Sequence, residues 1–272
     1  MKSIVVNSQE EKDSNNFPPF LYKYRSMKRL KEILTDFQLY FSPVEDFNDP
    51  FEFKMIVSDE MKESLIDYII RTTSSENHLP KGMKKIKNLK LSTLASDSIA
   101  WMWKEWGVFT CSEVNNSILM WSHYADSHKG VCIEFDVSMD WDFFKNARRV
   151  QYSNDYIKCP LIRYKGLESK ELRIDNLNSS LYCKFTDWSY EKEYRIVKSN
   201  FAKGLKSINP NAIKSIIVGC KILDNDLCDI KTILKNKTEL QHVQLKRCVI
   251  DDNKYKLNIV DVPLDNCPTT DP

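Results

Sequence analysis

Apolar residues recur along this chain at two different intervals, and the places where the interval changes mark its elements. Phe20 to Tyr24 reads as a short strand, and Met27, Leu30, Ile33, Leu34 and Phe37 then follow at helical spacing from Ser26. Gln38 to Ser42 returns to a strand pattern. A helix is expected over 58–72, on Met61, Leu65, Tyr68 and Ile69, and a strand over Gly107 to Cys111. Ile118 to Ala125 predicts a short helix capped by Asn115 or Asn116, and Val131 to Val137 a strand of alternating burial. Further strands are expected near Val150 to Tyr152, over Tyr194 to Lys198 and over Ile213 to Gly219. Leu223 to Lys235 predicts the closing helix, and Gln241 to Val262 a hairpin turning at Asp251, Asp252 and Asn253.

Strands and helices do not alternate regularly enough for a parallel βαβ sheet, and no internal repeat is visible, so the expectation is an α+β fold with largely antiparallel strands. Residues 1–17 and 265–272 are polar and are expected to be flexible ends around one domain over 18–264. The 272 residues are 42% hydrophobic and 11% aromatic, enough for a sizeable core. Forty Lys+Arg against 38 Asp+Glu leave a formal charge of +2, so no global field draws the chain to nucleic acid or membrane. The basic cluster Lys81 to Lys90 reads as a solvated face, or else as a contact for a phosphate-rich target.

Eight cysteines are scattered without a C-x-x-C pair, which reads as reduced, buried thiols in a cytoplasmic protein. No segment approaches the ~18 apolar residues that would span a bilayer. With six glycines and neither G-x-G-x-x-G nor a Walker loop, Rossmann and P-loop binding are disfavoured.

Two segments concentrate chemistry. In Trp188-Ser189-Tyr190-Glu191-Lys192-Glu193-Tyr194-Arg195, an extended strand would put Glu191, Glu193 and Arg195 on one face, the carboxylates ~7 Å apart. Such a row is either an exposed charge ladder or, between aromatic walls, a place to hold ribose hydroxyls and stabilise positive charge on a sugar. In Trp121-Ser122-His123-Tyr124-Ala125-Asp126, Ser122 and Tyr124 suit hydrogen bonding and stacking on a planar ligand, unless Trp121 and Tyr124 are core. His123 and His128, five apart, do not share a helix face, and no metal is expected there. Adjacent Ser122 and His123 cannot form a hydrolase pair from a regular helix. Tyr24 and Arg25 end the first strand beside helix amides, a setting for phosphate or a ribose oxygen. Asn48, Asp49 and Glu52 belong either to a turn or to a polar rim.

Five ordered motifs, Tyr22-Lys23-Tyr24-Arg25, Phe47-Asn48-Asp49-Pro50-Phe51-Glu52, the Trp121 segment with His128 to Val131, the Trp188 segment and Ile216-Ile217-Val218-Gly219, resemble the bacterial family called domain of unknown function 2971. More loosely, Arg25, Ser122 or Tyr124, and Glu191-Lys192-Glu193 occur in the order of the ADP-ribosyltransferase superfamily. That resemblance implies a split antiparallel sheet with flanking helices and an enzyme that cleaves the nicotinamide-ribose bond of NAD, in bacterial anti-phage defence or a toxin system. It implies Glu193 as the catalytic carboxylate, Glu191 as the residue orienting the acceptor and Arg25 as a dinucleotide anchor. NAD would be the substrate, met by Arg25, Tyr24, Ser122, His123, Tyr124, Trp188 and Arg195, with a protein, nucleic acid or water as acceptor. The alternatives are a nuclease or phosphodiesterase gathering Mg²⁺ on Asp49, Glu52, Glu191 and Glu193, and a non-catalytic ligand sensor or adaptor.

Overall fold

The computed structural model describes residues 17–56, 106–158, 179–199, 201 and 203–265. The helix expected over 58–72, the basic cluster Lys81 to Lys90 and both terminal segments apart from Phe17 and Asp265 lie outside these residues. Strand β1 (Phe20–Arg25) is followed by α1 (Met27–Asp36), β2 (Gln38–Pro43) and β3 (Met55–Ile56). Next come β4 (Gly107–Ser112), α2 (Ile118–Tyr124), β5 (Val131–Asp136) and α3 (Trp141–Phe144). Four short strands follow, β6 (Arg148–Arg149), β7 (Gln151–Ser153), β8 (Ile157–Lys158) and β9 (Cys183–Phe185), then β10 (Glu193–Lys198) and β11 (Gly204–Ser207). The chain closes through β12 (Ile213–Val218), α4 (Asp224–Asn236), β13 (Gln244–Ile250) and β14 (Leu257–Asp261).

Local chemistry accounts for the element ends. The Ser26 side chain caps α1 by accepting from Arg29 N, and Phe37 stops it in the left-handed region. The cap of α2 is Ser117, which accepts from Met120 N, rather than Asn115 or Asn116. The side chain one position before the first helical residue is the one whose oxygen reaches the free amides.

Ten strands form one mostly antiparallel sheet in the order β11-β2-β4-β1-β5-β12-β13-β14, with β10 branching from β4 and β6 pairing on β10. The α+β expectation is met; within the large sheet β12 and β13 run parallel, joined through α4 as a βαβ unit, and the separate two-stranded pairs β3–β8 and β7–β9 are also parallel. One sheet face packs on Leu30, Ile33 and Leu34 of α1, Phe143 and Phe144 of α3, and Ile230 and Leu234 of α4. The opposite face packs Tyr24, Cys132 and Ile217 against Met120 and Trp121 of α2. Strand alternation assigns Leu21, Ile133 and Ile196 to the first core, and Tyr24 and Cys132 to the second.

The sheet is split beside β4. One edge of β4 pairs with β10 along its whole length. The other edge is shared: β2 takes Gly107 and Val108, and β1 takes only Ser112, opposite Tyr22. In the gap the Lys23 ammonium donates to the Thr110 carbonyl and, at 2.7 Å, to its hydroxyl. A buried lysine thus supplies the donor that a neighbouring strand would otherwise provide.

Candidate functional site

Residues from four parts of the chain converge where β10 begins. Burial of its side chains alternates: Tyr194 and Ile196 enter the main core, while Glu193 and Arg195 leave by the other face. The expected continuous row does not extend to Glu191, which ends a 3-10 helix over Thr186–Glu191. Lys192 then adopts φ 43°, breaking the extended geometry. The bend nevertheless returns Glu191 to Glu193 through a shared partner. Lys184 Nζ, on β9, lies 2.6 Å from Glu191 Oε2, 3.3 Å from Glu193 Oε2 and 3.0 Å from Glu52 Oε1. Arg195 Nε lies 2.7 Å from Glu193 Oε1, and its terminal nitrogens reach Glu52 Oε2 at 2.5 Å and the Leu181 carbonyl at 2.8 Å.

The cluster is sealed: Glu191 is 3% exposed, Glu193 4% and Arg195 0%. It is an interior network and not a surface charge ladder. Three carboxylates (Glu52, Glu191, Glu193) face two cations (Lys184, Arg195), one negative charge in excess when all are ionised. Burial alone would raise Glu193, but Arg195 and Lys184 overcome it and hold the carboxyl at about 2. Burial dominates at Glu52 and Glu191, whose carboxyls are raised despite the same cations. Lys184 and Arg195 would be lowered by burial, yet the carboxylates raise both.

Aromatic rings enclose this network. The Lys184 ammonium sits 4.8 Å from the Trp188 ring centre, and the Arg195 guanidinium lies 5.5 and 5.1 Å from Phe47 and Phe53. Tyr124, from the last turn of α2, donates to Glu191 Oε1 at 2.5 Å. Its phenol is raised by burial and by Glu191. From Tyr124 a run of rings extends outward: His123 is 6.3 Å from Tyr124 and 6.4 Å from Tyr190, which is 6.1 Å from Trp188. His123 is exposed, and Tyr124, Tyr190 and Trp188 are half-buried. These four rings form a shelf beside the buried carboxylates.

The loop that holds α2 in place is unusual. Asp126, Ser127 and His128 all have positive φ (48°, 53° and 71°), a left-handed run costly for L-residues. It is pinned by Gly130 N to Ala125 O at 2.8 Å and Lys221 N to His128 O at 3.0 Å. A Cβ on Gly130 would lie 2.3 Å from Arg25 O, so the loop closes only with glycine there.

Of the residues singled out from sequence, Glu191, Glu193, Arg195, Tyr124 and Trp188 come together, as does Glu52. Ser122 is exposed and His123 belongs to the shelf. Tyr24 is a pillar: its ring meets Trp121 edge-on at 5.3 Å and its hydroxyl donates to Val114 O. Arg25 does not join the cluster. Alternation along β1 sends it to the face of Leu21, away from Glu193, and its one hydrogen bond among the described residues is to Tyr24 O at 3.4 Å. Burial and the nearby Arg29 lower Arg25 to about 10, and burial and Arg25 lower Lys23 to about 7.

Asp49 also stays apart from the network. Its Oδ1 caps the turn by accepting from Phe51 N at 2.8 Å. Glu52, Glu191 and Glu193 do converge, but on Lys184 and Arg195, whose nitrogens fill the space that the nuclease reading assigns to Mg²⁺. Among the described residues no group of three or more His, Cys, Asp or Glu is arranged to hold a metal.

Lys184 was not foreseen, nor was Tyr152, whose hydroxyl accepts from Glu193 N at 2.9 Å. The available signal for Lys184 was a lone lysine between Leu181-Tyr182-Cys183 and Phe185, a charge inside an apolar run. Cys111, Cys132 and Cys248 are buried free thiols, and Cys183 and Cys220 are free and half-buried. Among the described residues no helix is long and apolar enough to cross a membrane.

The fold and cluster define a class: an α+β protein with a split, mostly antiparallel sheet and a buried Glu-Lys-Glu-Arg network behind an aromatic shelf. The sequence model of the family described as "Protein of unknown function (DUF2971)" matches residues 120–196, the stretch from α2 into β10 that supplies Tyr124, Lys184, Glu191, Glu193 and Arg195. The chain is similar to that family over this stretch. No curated protein and no solved structure matches it.

Proposed function

We propose that this chain is an NAD-consuming, ADP-ribosyltransferase-like enzyme in which Glu191, set behind the aromatic shelf, stabilises the sugar as its bond to nicotinamide breaks. The observation that carries this reading is the Tyr124–Glu191 bond at 2.5 Å within a network that, with its three carboxyls ionised, holds one negative charge in excess. A ligand bringing a positive centre balances that charge. The pyridinium of NAD does so in the ground state, and the ribose does so as the C1′–N bond lengthens and the electron pair leaves with nicotinamide. The rings of Tyr124, Tyr190, Trp188 and His123 suit stacking on that planar leaving group.

The geometry favours moving the catalytic role expected of Glu193 to Glu191. Glu193 is held twice by Arg195 and again by Lys184, so in this proposal it fixes the network, while Glu191 adjoins the shelf. Arg25 has no assigned contact with NAD in this arrangement. An activity that depletes NAD, with a macromolecule or water as acceptor, suits bacterial anti-phage defence or a toxin system.

The test is nicotinamide release from NAD by the full-length protein. Wild type should release it, Glu191→Gln should lose at least 100-fold in rate by the scale of a removed electrostatic stabiliser, and Tyr190→Ala should raise KM. Absence of both NAD binding by calorimetry and nicotinamide release by wild type overturns the proposal.

A further inference from the structure

On the other side of Lys184 lies a pocket of about 260 Å³, between the pairs β3–β8 and β7–β9. Its walls include Phe51, Tyr156 and Phe185, which are 55%, 40% and 41% exposed. Large rings left this open in one concavity are unusual on a protein surface unless something covers them. Phe185 is turned outward by the same alternation that turns Lys184 into the network, since the two are neighbours on β9.

Polar groups meet the rings there. The loop from β7 to β8 is closed by Ser153, whose hydroxyl accepts from Asp155 N at 3.0 Å and donates to Asp155 O at 2.9 Å. This presents the Asn154 amide and the Asp155 carboxylate at the pocket, and neither side chain has a hydrogen bond among the described residues. Lys54, also in the lining, stands 5.1 Å from the Phe51 ring centre and pairs with no carboxylate among the described residues. A flat ring system with donors and acceptors on its edge matches the aromatic walls, Asn154 and Asp155. An anionic group attached to it matches Lys54.

We infer that this pocket binds a nucleoside 5′-monophosphate group, its base between Phe51, Tyr156 and Phe185 and its phosphate at Lys54. The inference concerns a site apart from the shelf and does not depend on NAD cleavage.

The experiment is calorimetric titration of the full chain with AMP, GMP, CMP and UMP, and with the corresponding nucleosides. At least one monophosphate is expected to bind, and Phe185→Ala should weaken it about tenfold or more, the usual loss when a base loses its stacking ring. Lys54→Glu should weaken the monophosphate while leaving nucleoside affinity within about twofold. Phe185 and Lys54 are exposed, so both variants keep the fold, which an unchanged Tm verifies. No monophosphate binding up to millimolar concentration overturns the inference, as does binding that neither substitution alters. Monophosphate binding without nicotinamide release would support the pocket and count against the NAD reading, and the reverse pair of results would do the opposite.

Discussion

The Tyr124 hydroxyl donates to Glu191 at 2.5 Å, joining the end of α2 to the end of the 186–191 turn across 67 positions. A single hydrogen bond thus couples the aromatic shelf to the buried charge network. Tyr124→Phe removes it while keeping the ring. A hydrogen bond to a charged group contributes about 1.5–3 kcal/mol, so denaturant unfolding should show a loss near 2 kcal/mol with an unchanged m-value.

Arg195 separates Glu52 from Glu193 and is fully buried. Removing it leaves three buried carboxylates, Glu52, Glu191 and Glu193, to share the single ammonium of Lys184. Arg195→Met is therefore expected to destabilise by about 3–5 kcal/mol, and Arg195→Met combined with Glu52→Gln and Glu193→Gln by less than the single change. Chemical denaturation of the single and triple variants measures the difference, and a triple variant less stable than Arg195→Met would contradict the network.

Acid stability should carry the signature of Glu193. Its folded carboxyl sits at about 2, below the ordinary 4.5, so its contribution is present above pH 4.5 and is lost as pH falls through 2. Between these limits Glu193→Gln should flatten the pH dependence of unfolding. Equal slopes for wild type and variant would contradict the assignment.

Lys23 should act at the alkaline end. Its ammonium is depressed from 10.5 to about 7 by burial and by Arg25, so the unfolded chain binds the extra proton between those values. Stability therefore rises as pH increases from about 7 to about 10.5. Lys23→Met removes this rise, which is the quantity to measure, because the substitution also leaves the Thr110 carbonyl without its donor.

Opposite substitutions should separate strain from fit in the loop after α2. Gly130→Ala brings a methyl against Arg25 O and should cost more than about 1 kcal/mol. Ser127→Gly relieves a left-handed residue at φ 53° and should be neutral or stabilising by about 0.5 kcal/mol. Thermal unfolding of the two variants should move Tm in opposite directions, or leave it unchanged for Ser127→Gly.

The longer elements of this protein were written in its local pattern, whereas α3 and the strands β3, β6, β8, β9 and β11 were not. Met27, Leu30, Ile33 and Leu34 specify α1 whatever surrounds them, because helical spacing puts them on one stripe. The turn at Asp251 to Asn253 and the density of rings and charges near Tyr124 and Glu191 were equally legible. Tertiary structure decided the rest. The left-handed Lys192 ends the expected row of Glu191, Glu193 and Arg195, and only the approach of β9 reconnects it through Lys184. Strand alternation parts Arg25 from Glu193, although the order of motifs along the chain suggested that they meet. The single Tyr22–Ser112 pairing opens the gap that Lys23 fills. Periodicity is a property of neighbours in sequence, whereas the partner of a buried charge is whatever the fold brings within about 3 Å of it, and no local pattern encodes that.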